Sequence, residues 1–114
     1  MYYNVQPISG SLVASQQIKL LSGSSAKGHL HWLFLYNNNA ATRYAQLFDS
    51  VALPADGSVP LFVQSMAPST SVPKELAFGP DGLVFTNGLW IVISSTVATK
   101  TIAGTDLIFT AGIT

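Results

Sequence analysis

At 114 residues and 12.1 kDa, with five Lys plus Arg against five Asp plus Glu and no cysteine, the chain is sized for one domain with a single core. Zero net charge leaves no basic face to neutralise phosphates, which argues against a nucleic-acid partner, and the missing cysteines exclude disulfide scaffolds, thiolate zinc sites and cysteine nucleophiles. Only 9% of the residues are charged, against roughly 25% in an ordinary soluble domain, so part of this surface is expected to be covered by other subunits or by a larger assembly.

Residues 1–10 read as an N-terminal arm or edge strand, because Pro7 and the Ser9-Gly10 pair interrupt any regular element. The start Met1-Tyr2-Tyr3-Asn4 lacks the basic residues and apolar run of a secretory signal, so export by that route is not expected. Residues 11–114 are expected to form one β-sandwich domain. Residues 11–21 alternate with period two and predict a half-buried strand, and the Ser/Gly-rich stretch 22–28 predicts a loop. Residues 29–36 predict a central strand, with Leu30, Trp32, Phe34 and Tyr36 on one face and His29, His31, Leu33 and Leu35 on the other. This apolar run is far shorter than the roughly 20 residues of a membrane helix, and no membrane partner is expected.

Asn37-Asn38-Asn39 predicts a turn, since Asn tolerates left-handed backbone. A strand over 43–52 follows, then the turn Leu53-Pro54-Ala55-Asp56-Gly57, an edge strand over 59–66 marked by Pro60, and an extended Pro/Ser/Thr loop over 67–73. After a short strand at 75–78 and the turn Gly79-Pro80-Asp81-Gly82 come two apolar runs joined by Thr86-Asn87-Gly88. Asn-Gly favours tight hairpin turns, so 83–85 and 89–95 are expected to be neighbouring antiparallel strands, the central hairpin of the fold. Thr-rich, β-branched strands are predicted at 97–102 and 106–113. With no long helical pattern and about eight to ten short strands, the fold class is all-β: an antiparallel β-sandwich or jelly-roll-like barrel.

The sequence offers little chemistry. His29 and His31, two apart on a strand and so about 7 Å from each other, match a spacing metal sites use. A third ligand would have to come from Asp49, Asp56 or Glu75 in space, and two histidines alone do not define a zinc site, so no metal and no cofactor are expected. No G-x-S-x-G elbow occurs, Asp56 and Asp81 are explained by turn chemistry, and no glycine-rich loop opens a helix to cradle phosphate. A non-enzymatic protein with no catalytic residues is the expectation. Tyr2, Tyr3, Trp32, Tyr36, Tyr44 and Trp90 admit a sugar-binding platform, but Trp32 and Trp90 lie in the most apolar strands, which favours packing in the core or an oligomer interface. Arg43, the sole arginine, suits an ion pair with Asp49, stacking on Tyr44, or a partner contact.

Three stretches carry a resemblance: Tyr36-Asn-Asn-Asn-Ala-Ala-Thr-Arg-Tyr-Ala-Gln-Leu-Phe-Asp49, Leu53-Pro-Ala-Asp-Gly-Ser-Val-Pro60 and Thr86-Asn-Gly-Leu-Trp-Ile-Val-Ile-Ser-Ser-Thr96. Across residues 30–113 the chain resembles small virion structural proteins of tailed bacteriophages and prophages. The resemblance implies a capsid decoration or cement protein, made in the host cytoplasm and located on the virion, that binds the major capsid protein or another virion protein. It implies a homo-oligomer, with a trimer expected first and a dimer as the alternative, and no nucleic-acid partner. The alternative role is a tail or fibre component with a carbohydrate-binding β-sandwich. Within this reading the expected partner contacts are Tyr2, Tyr3, Arg43, Ser69 and Thr70, on the arm, the Asn turn and the 67–73 loop.

Overall fold

The computed structural model describes residues 6–12, 15–18, 28–38, 40–68, 74–101 and 107–113. These residues are all-β, with no helix among them, and form two antiparallel sheets facing each other as in a sandwich. Their strands are β1 (Gln6–Leu12), β2 (Ser15–Ile18), β3 (Gly28–Asn37), β4 (Arg43–Asp49), β5 (Phe62–Met66), β6 (Lys74–Ala77), β7 (Leu83–Phe85), β8 (Leu89–Ser94) and β9 (Leu107–Ile113). The first sheet has the order β1-β9-β3-β6, with β7 also on β3; the second has the order β2-β8-β4-β5.

The core lies between the sheets. Leu30, Leu33, Leu35, Phe85, Phe109, Ala111 and Ile113 from the first sheet meet Ala45, Leu47, Met66, Leu89, Ile91 and Ile93 from the second. Removing these side chains from water is the main favourable contribution to folding, about 1.5–3 kcal/mol for each large aliphatic or aromatic group. Pro7 sits in β1, at the edge of its sheet, where a missing N–H is tolerated.

Two features of the first sheet depart from simple alternation. The pairing of β3 with β9 shifts register between Leu30 and Trp32, and a bulge of this kind moves the following side chains to the opposite face. Leu30 therefore shares the core face with Leu33 and Leu35, while Trp32 is turned outward and Phe34 and Tyr36 are only half-buried. Trp32, Phe34 and Tyr36 thus lie on an outer face, apart from Leu30, with which simple alternation would group them. In addition, β6 pairs with residues 32–35 of β3 and β7 with residues 28–30, so the two run end to end along one edge. Between them the turn at 79–82 leaves the sheet opposite the bulge. Gly79 and Gly82 hold positive φ there (82° and 70°), Gly82 N–H donates to Gly79 O at 3.2 Å, and Phe78 N–H donates to His31 O at 2.9 Å.

The expected central hairpin does not form. β7 pairs with β3 in one sheet, while β8 pairs with β4 and β2 in the other, so Thr86-Asn87-Gly88 is a corner that crosses the sandwich. A hairpin would satisfy the N–H groups at such a corner through its own ladder; here Asp49, at the end of β4, supplies the acceptors instead. Its carboxylate receives N–H donors from Thr86 (3.1 Å), Asn87 (2.8 Å) and Gly88 (3.1 Å) and the Thr86 hydroxyl (3.2 Å), and Ser50 N–H donates to Gly88 O at 2.8 Å. Partial burial pushes the Asp49 carboxyl up, but the N–H groups of Asn87, Thr86 and Gly88 and the Thr86 hydroxyl together outweigh it and hold the group below the ordinary 3.8.

A carboxyl lowered in the folded state contributes stability that is complete above its unfolded pKa and lost as pH falls through the lowered value. Asp49→Asn is therefore expected to destabilise the protein by about 1–2 kcal/mol near neutral pH, the lower part of the range for hydrogen bonds to a charged group because water screens the exposed carboxylate. In urea titrations the gap between parent and variant should shrink in acid, well below about pH 4. An undiminished gap would show that the charge of Asp49 does not hold the corner.

Candidate functional site

Part of the outer face of the second sheet is buried. Gln46 and Phe48 on β4 and Val92 and Ser94 on β8 point away from the core, yet all four are inaccessible or nearly so. Two irregular segments, residues 50–61 and 95–101, cover them. The strand predicted at 97–102 is thus a loop through residue 101, with Ile102 outside the described residues. Its polar backbone groups are taken by side chains and by loop backbone in place of a neighbouring strand. Gln46 Nε2 donates to Thr96 O at 2.9 Å and to Thr99 O at 3.1 Å, and Ser94 Oγ accepts the N–H groups of Thr96 and Thr101 at 3.2 and 3.0 Å.

Lys100 joins the two segments. Its side chain is fully buried and its Nζ reaches Asp56 Oδ1 at 2.9 Å, while its N–H donates to Ser58 O and its carbonyl accepts Gly57 N–H, both at 2.8 Å. Pro54-Ala55-Asp56-Gly57 turns as expected, with Gly57 at φ 92° and Ser58 N–H on Ala55 O at 3.1 Å. A four-methylene stem buries well beneath a turn if its ammonium meets an acceptor at the rim, and Asp56 is that acceptor.

The solvent side of this cover carries a group of exposed apolar side chains. Val51 is 74%, Val59 76% and Leu61 56% exposed, with Leu53 and Val97 also open to solvent. Beside them an open groove of about 410 Å³ runs between Phe48, Pro54, Val59, Pro60 and Leu61, with Asp49 and Ser50 at one end. Aliphatic side chains concentrated on one loop that is itself pinned by hydrogen bonds make a preorganised contact surface, and clusters of this kind mark interaction sites. We take it as the candidate partner-binding surface. Sequence reading passed over it because valine and leucine between prolines carry no chemical signature; only the lack of charge from 50 to 55 hinted at it.

The residues singled out from the sequence are scattered. Tyr2, Tyr3, Ser69 and Thr70 lie outside the described residues. Arg43 opens β4, half-buried, and its Nη1 donates to Thr42 O at 3.0 Å, whereas Asp49 is at the other end of the strand and engaged with the corner at 86–88, so the two form no ladder. His29 and His31 do meet, with rings stacked 6.0 Å apart, and His29 Nδ1–H donates to Asp81 O at 2.6 Å, closing the 79–82 turn onto β3. Among the described residues no group of three or more His, Cys, Asp or Glu is placed to hold a metal ion. Trp32, Tyr36, Tyr44 and Trp90 stand outside the core cluster, Trp32 being exposed and the other three half-buried. Packing in the core is therefore not their role, because the inward positions of their strands are held by Leu, Ile and Ala.

Among the described residues no helix is long and apolar enough to cross a membrane. Compared with protein-family models, with curated proteins and with solved structures, the chain matches none.

If Lys100 ties the cover together, Asp56→Ala should loosen residues 50–61 while the sandwich stays folded. The expected cost is about 1–2 kcal/mol, below the usual range for a charged hydrogen bond because Asp56 is solvent-exposed. Limited proteolysis should cut the variant first within residues 51–61. Cleavage there at the parent rate would mean that the ion pair contributes nothing to the cover.

Proposed function

We propose that this chain is a bacteriophage virion structural protein, a decoration or cement protein that binds an assembled head and acts without turnover. The observation that carries the reading is the strand order. If β6 and β7 are counted as one interrupted strand, β1-β9-β3-β6 opposite β2-β8-β4-β5 is consistent with the order of an eight-stranded jelly roll, in which the chain passes repeatedly between two four-stranded sheets and stays in one of them from β4 to β5. Double-sheet jelly rolls are used by viral capsid and lectin domains. Fold alone does not imply function, and the resemblance of the three sequence stretches to virion proteins supplies the rest of the support.

The surface suits such a role. A protein that binds only the assembled lattice stabilises it by mass action, and binding of this kind needs an apolar centre with few charges to desolvate. Residues 51–61 provide Val51, Leu53, Val59 and Leu61 in a chain with 9% charged residues. In this reading the partner contacts are on this loop, and a homotrimer at a symmetric lattice position is the expected assembly.

Val59→Asp and Leu61→Asp alter exposed side chains, so each should change folding stability by no more than about 0.5 kcal/mol. Each should nevertheless lower the amount of protein that co-sediments with particles of the encoding phage by about tenfold or more, since a charge in an apolar contact must be desolvated unpaired. Absence of the parent protein from purified particles would sink the virion reading, and unchanged occupancy of the variants would move the contact away from this loop. Sedimentation equilibrium of the isolated protein checks the trimer.

A further inference from the structure

We propose that the outer face of the first sheet, centred on Trp32, is a binding site for a neutral saccharide. The site requires only the folded chain, so it stands or falls independently of the virion reading.

The bulge in β3 creates the site by turning Trp32 outward, where its indole remains 36% exposed. What lies beneath the ring is equally informative. Gly112 of β9 pairs with Trp32, and a Cβ at that position would run into the indole atoms Nε1, Cε2 and Cδ1. The ring therefore rests against bare backbone. On the other side Trp32 is paired with Ala77 of β6, another small residue. The row Ala77-Trp32-Gly112 thus leaves the aromatic standing alone across three strands. The next row is Glu75-Phe34-Thr110, in which a second aromatic, half-buried, is flanked by an exposed carboxylate and a hydroxyl.

An open groove of about 570 Å³ follows these two rows, within the roughly 300–1,000 Å³ typical of small-ligand sites. Its composition selects the ligand. A pyranose ring has one face of C–H groups, slightly electropositive, and an edge of hydroxyls. The first matches the negative face of an indole, and the second matches a carboxylate that accepts two hydrogen bonds and a threonine hydroxyl that accepts or donates. An apolar protein anchor fits less well, because it would bury the Glu75 carboxylate without a partner. An acidic sugar is disfavoured by the same charge.

The test is binding of the purified parent protein to an array of neutral glycans, followed by titration of the best binder while following tryptophan emission. Saccharide binding should shift the emission of Trp32 to shorter wavelength. Trp32→Ala should weaken binding by about tenfold or more and Trp32→Phe by less, since a smaller ring retains part of the platform. Glu75→Ala, a change at an exposed side chain that leaves folding intact, should weaken binding at least about threefold through lost hydrogen bonds. No binding of the folded parent to any neutral glycan overturns the proposal. So does a bound glycan whose affinity is unchanged in both Glu75→Ala and a Trp32→Ala variant with a parental circular-dichroism spectrum.

Discussion

A single carboxylate decides how this chain closes. Asp49 gathers the N–H groups of three consecutive residues, Thr86, Asn87 and Gly88, and the hydroxyl of the first. A corner that crosses from one sheet to the other leaves its N–H groups without a ladder, and a carboxylate gives them strong, charge-assisted acceptors. With the carboxylate in place, β7 can remain on β3 and β8 can enter the centre of the opposite sheet, where Leu89, Ile91 and Ile93 complete the core. Every consequence of the two-sheet architecture, including which faces are covered, follows from that separation.

The same device recurs along the stretch from Tyr36 to Asp49. Asn37, fully buried, donates from Nδ2 to Ala41 O and Ala67 O, both at 3.0 Å, and so ties the turn after β3 to the chain leaving β5. Gln46 holds the loop at 95–101. The polar residues in the most distinctive part of the sequence therefore serve as anchors for loops. A pattern of this sort marks a fold.

The two sheets present opposite outer faces. The second is roofed by residues 50–61 and 95–101, joined through Lys100 and Asp56, and its roof is studded with exposed valine and leucine. Among the described residues the first is left open around Trp32, with small, carboxylate and hydroxyl neighbours. An exposed aliphatic surface and a mixed aromatic-polar groove suit different ligands, so the two proposed contacts would fall on opposite sides of one small domain.

Much of the local structure was legible in the residues. Composition and period-two patterns pointed to an all-β chain, with strands over 43–52, 59–66, 75–78 and 106–113 that form at 43–49, 62–66, 74–77 and 107–113, and to the turns at Pro54-Ala55-Asp56-Gly57 and Gly79-Pro80-Asp81-Gly82, because proline fixes φ and glycine admits positive φ whatever surrounds them. The face of Trp32, the sheet to which each neighbour of Asn87-Gly88 belongs, and the irregular path of residues 97–101 were decided only by tertiary structure. A one-residue bulge reverses side-chain direction without altering composition. An Asn-Gly pair permits a hairpin but does not compel one when a distant carboxylate offers its N–H groups a better set of acceptors. A Thr-rich segment becomes a loop where Gln46 and Ser94 take its backbone groups before any strand can. For the corner and the loop, deciding atoms of Asp49 and Gln46 lie across the fold, tens of residues away in the chain, and a reading of neighbouring residues cannot contain them.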